Sequence, residues 1–176
     1  MLPEIQIREA ASEDALMLAE LGARTFNDAF GADNDPVDLN NYLAKAFSES
    51  KMFEELQEPT SRFFIAFDAS APVGYTKLRA VKSPECIPDS NPLELERIYV
   101  DQQCIGKGVG AALMKRSMEE GHNAGFKTIW LGVWKKNDQA VRFYKKWGFT
   151  IVGEKKFVIG TDVQYDYVMM CDLTTL

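Results

Sequence analysis

The sequence predicts an α/β domain, and three observations indicate it. Strand-like and helix-like patterns alternate along the 176 residues. Near the middle of the chain, at residues 93–113, a strand-like run leads through a glycine-rich turn into a helix-like run. No linker, internal repeat or low-complexity stretch divides the chain, which is long enough to bury a core of its own. We therefore expect one domain over residues 1–176.

The first 80 residues predict a strand, three helices and a β-hairpin. The segment 5–9 alternates between apolar and polar residues, and Ser12 is placed to cap the helix that follows. A turn rich in helix-breaking residues separates this helix from two shorter ones. Two aromatic and β-branched runs around a Pro-containing turn indicate the hairpin. The expected bounds are 5–9 for the strand, 16–30, 37–47 and 50–56 for the helices, and 63–67 and 73–78 for the hairpin.

The remaining residues predict strands before and after two helices. Three prolines and an asparagine place 82–92 in a surface loop. The apolar pairs Val109/Leu113 and Met114/Met118 have helical spacing and indicate the first of the two helices. The expected bounds are 93–100, 128–134, 149–153 and 163–170 for the strands, and 109–125 and 137–147 for the helices.

The composition is that of a globular protein and excludes several classes. Hydrophobic residues make up 46% and charged residues 26% of the chain. No run approaches the roughly 20 apolar residues of a membrane span, and the first residues lack the features of a secretory signal. Three scattered cysteines and the single His122 provide neither a disulfide framework nor a metal site. We expect a cytoplasmic protein without a metal or a membrane partner, with His122 at the surface.

The charge is unevenly distributed. The net charge of −6 disfavours nucleic acid as a partner. Residues 1–60 carry 13 acidic and 4 basic side chains, a balance of −9, whereas residues 61–176 carry 13 acidic and 16 basic ones, a balance of +3. Two interpretations are open. The charges lie on solvated helix faces, or the protein binds two ligands, a cation at the acidic part and an anion at the basic part.

The stretch DQQCIGKGVGAAL, residues 101–113, predicts an anion site. Glycines let backbone amides point together at a ligand, and the helix N-terminus adds a partial positive charge. A nucleoside-triphosphate loop needs Lys-Ser/Thr after its last glycine, but Ala111 follows Gly110. Gly106-x-Gly108-x-x-Ala111 also matches a dinucleotide fingerprint. That fold needs an acidic residue after the next strand, where this chain has Lys135.

The motif Gln103-x-x-Gly106-x-Gly108 resembles the Q/R-x-x-G-x-G/A signature of the GNAT superfamily of N-acetyltransferases. The runs LERIYV, IWLGVW and AVRFYKKWGF follow that family's order and spacing over residues 93–150. Together with TFNDAF and YLAKAF, they look most like the bacterial Pai-type polyamine (spermidine/spermine) acetyltransferases. The resemblance implies the GNAT fold, a mixed and mostly antiparallel sheet flanked by helices, and acetyl-CoA as co-substrate.

The resemblance also implies which residues hold acetyl-CoA. The amides of the glycine turn receive the pyrophosphate, and the backbone of the preceding strand runs along the pantetheine arm. Asn137 hydrogen-bonds this arm, caps the following helix, or does both. The expected coenzyme-binding residues are Ile98, Tyr99, Val100, Gln103, Gly106, Lys107, Gly108, Val109, Gly110, Asn137 and Ala140.

The resemblance places Tyr144 at the family's usual position for the acid that protonates the departing thiolate. A core aromatic on an amphipathic helix is the alternative. Some relatives that acetylate protein N-termini carry a glutamate where this chain has Gly132, so we do not expect their mechanism here. Glu94 and Glu96 remain as candidate proton acceptors on one face of a strand. We assign this role to Glu96; solvated or salt-bridged carboxylates are the alternative for both.

We expect the chain to transfer an acetyl group to a primary amine of a small polyamine. Asp28, Asp33 and Glu94 are the expected substrate-binding carboxylates. An acetyltransferase of protein N-termini or lysines, and an acyl-CoA-binding regulator without turnover, are the alternatives. The sequence favours neither a monomer nor a homodimer.

Overall fold

The computed structural model describes residues 5–175. These residues contain seven strands, which form one sheet, and five α-helices. The strands are β1 (Ile5–Glu9), β2 (Ser61–Asp68), β3 (Ala71–Arg79), β4 (Leu93–Val100), β5 (Thr128–Trp134), β6 (Thr150–Ile159) and β7 (Asp162–Asp172). The helices are α1 (Ala15–Phe30), α2 (Pro36–Ala46), α3 (Glu49–Gln57), α4 (Val109–Asn123) and α5 (Asp138–Lys146).

The strand order confirms the predicted mixed, mostly antiparallel sheet. The order is β1-β2-β3-β4-β5-β7-β6. β4 and β5 pair in parallel, whereas β1 with β2, β5 with β7, and β6 with β7 pair antiparallel.

The chain divides into two compact units. The first consists of the described residues up to Lys77 together with Arg97–Arg116, and the second of Leu78–Glu96 together with the described residues from Ser117 onward. The expectation of one domain stays a prediction.

The first unit packs apolar residues of β1, β2 and β3 against the first turns of α4. Ala66, Val73, Val109 and Leu113 form its buried cluster. A second feature of this unit is a buried ionic group, in which the carboxylate of Glu55 accepts from the charged ends of two side chains. These are the Nζ of Lys77 and the Nη1 of Arg97, each at 2.9 Å. The two cations neutralise and satisfy a carboxylate that burial alone would penalise.

The second unit is built on β5, β6 and β7. The register pairs Thr128 with Asp172 and Trp134 with Asp166, so the whole of β5 lies along β7. Ile87, Trp130 and Val168 form a buried cluster here. β6 and β7 make a hairpin that is longer than the sequence predicts, because its central polar residues pair through their backbones.

One predicted helix cap is wrong. Ser12 does not cap α1 but begins a single 3-10 turn that precedes it. The carboxylate of Asp14 holds this turn by accepting from the amide of Ala11 at 2.8 Å and pairing with Arg8 at 2.7 Å. The Arg8 guanidinium lowers the pKa of the Asp14 carboxyl. The hydroxyl of Ser12 accepts instead from Nε2 of Gln57 at 3.0 Å.

Among residues 5–175, no helix combines the length and the apolar character that crossing a membrane requires.

Gly74 lies in β3 at a point of close approach within the first unit. A Cβ at this position would lie 2.8 Å from the carbonyl oxygen of Tyr99, 3.1 Å from Cδ1 of Leu113 and 3.2 Å from Cγ1 of Val109. The nearest of these atoms belongs to the backbone and cannot rotate away. The missing side chain therefore lets the start of α4 and the end of β4 pack directly on β3.

We predict that Gly74→Ala lowers the free energy of unfolding by about 1–3 kcal/mol, because overpacking displaces neighbouring groups. Chemical denaturation measures this change. Gly31→Ala is the matched control. Gly31 has a helical φ of −60°, and the nearest atom to its Cβ belongs to the side chain of Asn27, which can move. Equal stability of both variants and the wild type contradicts the prediction.

Candidate active site

Asp101 anchors the glycine turn at the end of β4. Its amide donates to the carbonyl of Val73 at 2.8 Å, and its carboxylate accepts from the amide of Gln103 at 3.1 Å. Nη2 of Arg24 donates to the same carboxylate at 3.0 Å. Sequence reasoning missed Asp101, although an aspartate two residues before a capped amide is the usual pattern of such a turn.

Gly106 and Gly108 give the turn a backbone that other residues rarely adopt. Their φ angles are +81° and +88°, in the left-handed region. A Cβ at either position would meet nothing within 4 Å. Glycine is therefore required by the backbone conformation and not by a lack of space. The open space also lets a ligand approach the backbone closely. Gln103 and Lys107 are both exposed beside this turn.

The free amides of this segment lie mainly at the start of α4. The first helical hydrogen bond runs from the amide of Ala112 to the carbonyl of Gly108 at 3.0 Å. The amides of Val109, Gly110 and the next residue therefore have no intrahelical acceptor. The amide of Lys107 donates to the carbonyl of Cys104 at 3.2 Å, so this one amide serves the turn. Lys107 can therefore bind an anion through its side-chain ammonium but not through its amide.

The backbone groups of Ile98 and Val100 point away from β3. The amide of Asp101 donates to Val73 of β3, and backbone groups of successive residues in a strand alternate in direction. The groups of Tyr99 therefore point toward β3, while its ring packs on Tyr75 with 5.8 Å between ring centroids. The expected contacts to a pantetheine arm thus depend on Ile98 and Val100 more than on Tyr99.

Asn137 caps α5, as one of the two interpretations of this residue predicts. Its Oδ1 accepts from the amide of Ala140 at 3.1 Å. The side-chain NH₂ group of Asn137 can still donate, so the cap is compatible with a hydrogen bond to a ligand. Binding of a ligand by Asn137 or Ala140 stays a prediction.

Tyr144 lies on α5 and is 9% exposed. Its ring packs against Phe143 and Phe149, with centroids 5.5 and 5.9 Å away. Burial raises the pKa of the Tyr144 phenol well above its usual range, so the hydroxyl keeps its proton at any physiological pH. The residue is thus a packed aromatic, and it also holds a proton that it can donate.

Glu94 and Glu96 both contact Arg79 in the second unit. Nε of Arg79 donates to Glu94 at 2.5 Å, and its Nη1 lies 3.3 Å from Glu96. The side chain of Glu94 is only 2% exposed, whereas that of Glu96 is 20% exposed. Glu96 is therefore the more accessible of the two. Glu94 is buried as well as paired with Arg79, which weakens its candidacy as a substrate-binding residue.

The acidic residues predicted to hold a cation lie at the end of α1. Asp28 and Asp33 are exposed. Asp35, in contrast, caps α2: its carboxylate accepts from the amides of Val37 and Asp38 at 2.9 and 3.1 Å.

His122 is exposed, as predicted, and its Nδ1 lies 2.9 Å from the carbonyl oxygen of Leu173. Within the described part of the chain, no three His, Cys, Asp or Glu side chains group as metal ligands.

Comparison with known proteins identifies the family. Residues 27–149 match the Acetyltransferase (GNAT) family. An uncharacterized N-acetyltransferase from the pepI 3′ region of Lactobacillus delbrueckii subsp. lactis is 33% identical over 165 residues, covering 94% of this chain and 95% of its own length. The chain therefore belongs to the GNAT family of N-acetyltransferases, and it is an acetyl-CoA-dependent acetyltransferase.

Two further comparisons concern more specific relatives. The crystal structure of the PaiA N-acetyltransferase from Thermoplasma acidophilum, in complex with coenzyme A, superposes with a TM-score of 0.78 at 20% identity, covering 96% of this chain and 99% of that one. The spermine/spermidine N(1)-acetyltransferase of Bacillus subtilis is 33% identical over 66 residues, or 36% of this chain and 42% of its own. The first likeness confirms the fold, and the second covers only part of the chain.

The glycine turn fits the pyrophosphate of acetyl-CoA. Free amides at a helix N-terminus provide donors for an anion, and no side chain at Gly106 or Gly108 obstructs them. The exposed Lys107 adds a positive charge beside the turn.

We predict that Gly108→Asp weakens acetyl-CoA binding by more than about tenfold, because it adds a like charge at the helix N-terminus. Isothermal titration calorimetry measures the affinity. Gly125→Asp is the matched control: Gly125, near the other end of α4, has a φ of +86° and equally open space around a Cβ. Both substitutions carry the same backbone strain and charge. Equal affinities of the two variants contradict the assignment.

Proposed function

We propose that the acceptor is a primary amine of a small polyamine, such as spermidine or spermine. The observation that carries this proposal is the set of carboxylates available to a cation. Asp28 and Asp33 are exposed in an N-terminal segment, residues 1–60, whose balance of charge is −9. A polyamine keeps cationic nitrogens while another nitrogen reacts, so its binding needs such carboxylates. The partial likeness to a spermine/spermidine N(1)-acetyltransferase supports the same class of acceptor.

The reaction makes three demands on the chain. Acetyl-CoA supplies an activated thioester when it is bound. Glu96 accepts a proton from the acceptor nitrogen, directly or through a water, so that a neutral amine forms the new C–N bond. A strand amide near Val100 donates to the developing oxyanion. As the C–S bond breaks, Tyr144 donates its phenolic proton to the departing sulfur.

Proton donation by Tyr144 is uphill. With ordinary pKa values of about 10 for tyrosine and about 8.5 for a thiol, the transfer costs roughly 2 kcal/mol. Burial raises the pKa of Tyr144 further, which widens this gap unless the sulfur is desolvated as well. The same shift has one benefit: the phenol stays protonated at the alkaline pH that frees the acceptor amine.

We predict that Tyr144→Phe lowers kcat by about 10²–10⁴-fold, the usual contribution of general acid catalysis, and leaves the affinity for acetyl-CoA unchanged. Thiol release with a colorimetric reagent measures kcat, and calorimetry measures the affinity. Tyr165→Phe is the control, since Tyr165 is an exposed tyrosine of β7 in the same unit. A kcat near that of the wild type shows that Tyr144 has only a packing role.

We predict a preference for polyamines that depends on salt and pH. Salt raises the KM for spermidine, because screening weakens exposed charge pairs. Activity rises from pH 7 toward about 9, because only about one amine in 10³ is neutral at pH 7. The raised pKa of Tyr144 delays the loss of its proton, so the fall at higher pH comes from the acceptor's second charge. Steady-state kinetics over pH and salt test this.

Equal turnover of monoamines and spermidine, without a salt effect, contradicts the polyamine assignment. A peptide amine then becomes the better acceptor, and peptides with free N-termini or lysines are the next substrates to assay. Binding of acetyl-CoA without thiol release in the presence of any amine indicates a regulator.

A further inference from the structure

Asp166, on β7, is a buried carboxylate that the proposed reaction does not use. The residue is 8% exposed. Burial raises the pKa of the Asp166 carboxyl, and the nearby ammonium of Lys155 partly offsets this shift. A buried carboxylate with one ammonium in its neighbourhood is poorly explained by stability, since burying a charge costs free energy unless it is paired and hydrogen-bonded.

Lys155, on β6, directs its ammonium into the space above Gly132. A Cβ on Gly132 would lie 2.3 Å from Cε and 2.9 Å from Nζ of Lys155, and 3.4 Å from Oδ2 of Asp166. The missing side chain at this position of β5 therefore makes room for the end of the lysine. Nζ of Lys155 also lies 5.5 Å from the centroid of the Trp130 ring. The ammonium thus lies over an aromatic face and close to a carboxylate.

These residues lie on one face of the sheet. Trp130, Gly132 and Trp134 alternate along β5 and share a face. Asp166 is opposite Trp134, and Lys155 is opposite Asp166, so their side chains share this face as well.

The same face carries the candidate proton acceptors. Glu94 of β4 pairs in parallel with Trp130, and Glu96 is two residues further along β4. Both carboxylates are therefore on the face that carries Asp166 and Lys155.

An aromatic face next to a carboxylate is the usual protein site for an alkylammonium group. The aromatic quadrupole and the negative charge both attract a cation. Lys155 is itself an alkylammonium and fills this site from within the chain. We propose that Trp130, Gly132 and Asp166 form the binding site for a second, non-reacting ammonium of the acceptor, and that Lys155 holds the site until the acceptor displaces it. This inference rests on the proposed polyamine acceptor.

If the acceptor displaces Lys155, substitutions of Lys155 and of Asp166 have opposite effects on acceptor binding. Asp166 attracts the incoming ammonium, so its loss weakens binding of the acceptor. Lys155 competes with that ammonium, so the loss of its charge strengthens binding. A merely structural attraction between the two charges predicts the reverse for Lys155, because removing its ammonium leaves a buried carboxylate without its nearby cation.

The test compares steady-state kinetics of Asp166→Asn, Lys155→Met and the wild type at saturating acetyl-CoA. The acceptors are spermidine and butylamine, whose single nitrogen leaves no second charge for the site. We expect Asp166→Asn to raise the KM for spermidine about tenfold, as loss of one partner of a partly buried charge pair does, with kcat changed less than about twofold. Lys155→Met lowers the KM for spermidine. Neither substitution changes the KM for butylamine.

Lys156→Met is the matched control, because Lys156 is the exposed neighbour of Lys155 and alternation puts it on the opposite face. We expect no change in its kinetics. Thermal unfolding monitors the fold of each variant. Asp166→Asn keeps the shape of the side chain and removes a charge that burial disfavours, so its Tm should be no lower than that of the wild type.

Two outcomes overturn the inference and are distinguishable. If the wild type prefers spermidine to butylamine but Asp166→Asn leaves that preference unchanged, or Lys155→Met raises the KM for spermidine, the ammonium site is wrong and the polyamine proposal stands. If the wild type acetylates both amines equally well, the polyamine proposal and the ammonium site both fail.

Discussion

The close approach at Gly74 is the constraint on which the anion site depends. A backbone carbonyl of β4 and two side chains of α4 occupy the volume that a Cβ would take, so β3, the end of β4 and the start of α4 form one rigid junction. The amides at the start of α4 are then held in place by packing of the first unit rather than by the turn alone. Gly106 and Gly108 can remain open and unpacked because the segments on either side of them are fixed.

Position 132 shows how the loss of one side chain changes the chemistry of a strand. The family resemblance implies a glutamate here in relatives that acetylate protein N-termini, whereas this chain has a glycine whose space is filled by Lys155. The charge at this point of the sheet is therefore reversed. The ammonium of Lys155 lies in that space, and the carboxylate near it belongs to Asp166 of β7 instead of to β5.

Local patterns predicted most of the fold and the glycine turn, but not the charge pairs. The run 93–113 was predicted correctly because its periodicity and its glycines act locally, as the positive φ of Gly106 confirms. The predicted strand ends before the true end of β6 because Glu154, Lys155 and Lys156 are consecutive polar residues without alternation, and their pairing is set by β7. The placement of Lys155 opposite Asp166 depends on that same register. Ser12 failed as a cap because the Arg8–Asp14 pair orders a 3-10 turn first.

Burial in the second unit favours the neutral forms of several of its acidic groups, and one of them is the proposed proton donor. The pKa values of Tyr144, Asp166 and the Cys171 thiol are all raised by desolvation. An amine in such surroundings loses its proton more easily, because desolvation penalises its charged form. A departing thiolate is penalised in the same way, so its pKa rises with that of the phenol. The cost of proton transfer follows the difference between these two values, so it stays small only where the phenol and the sulfur are desolvated together.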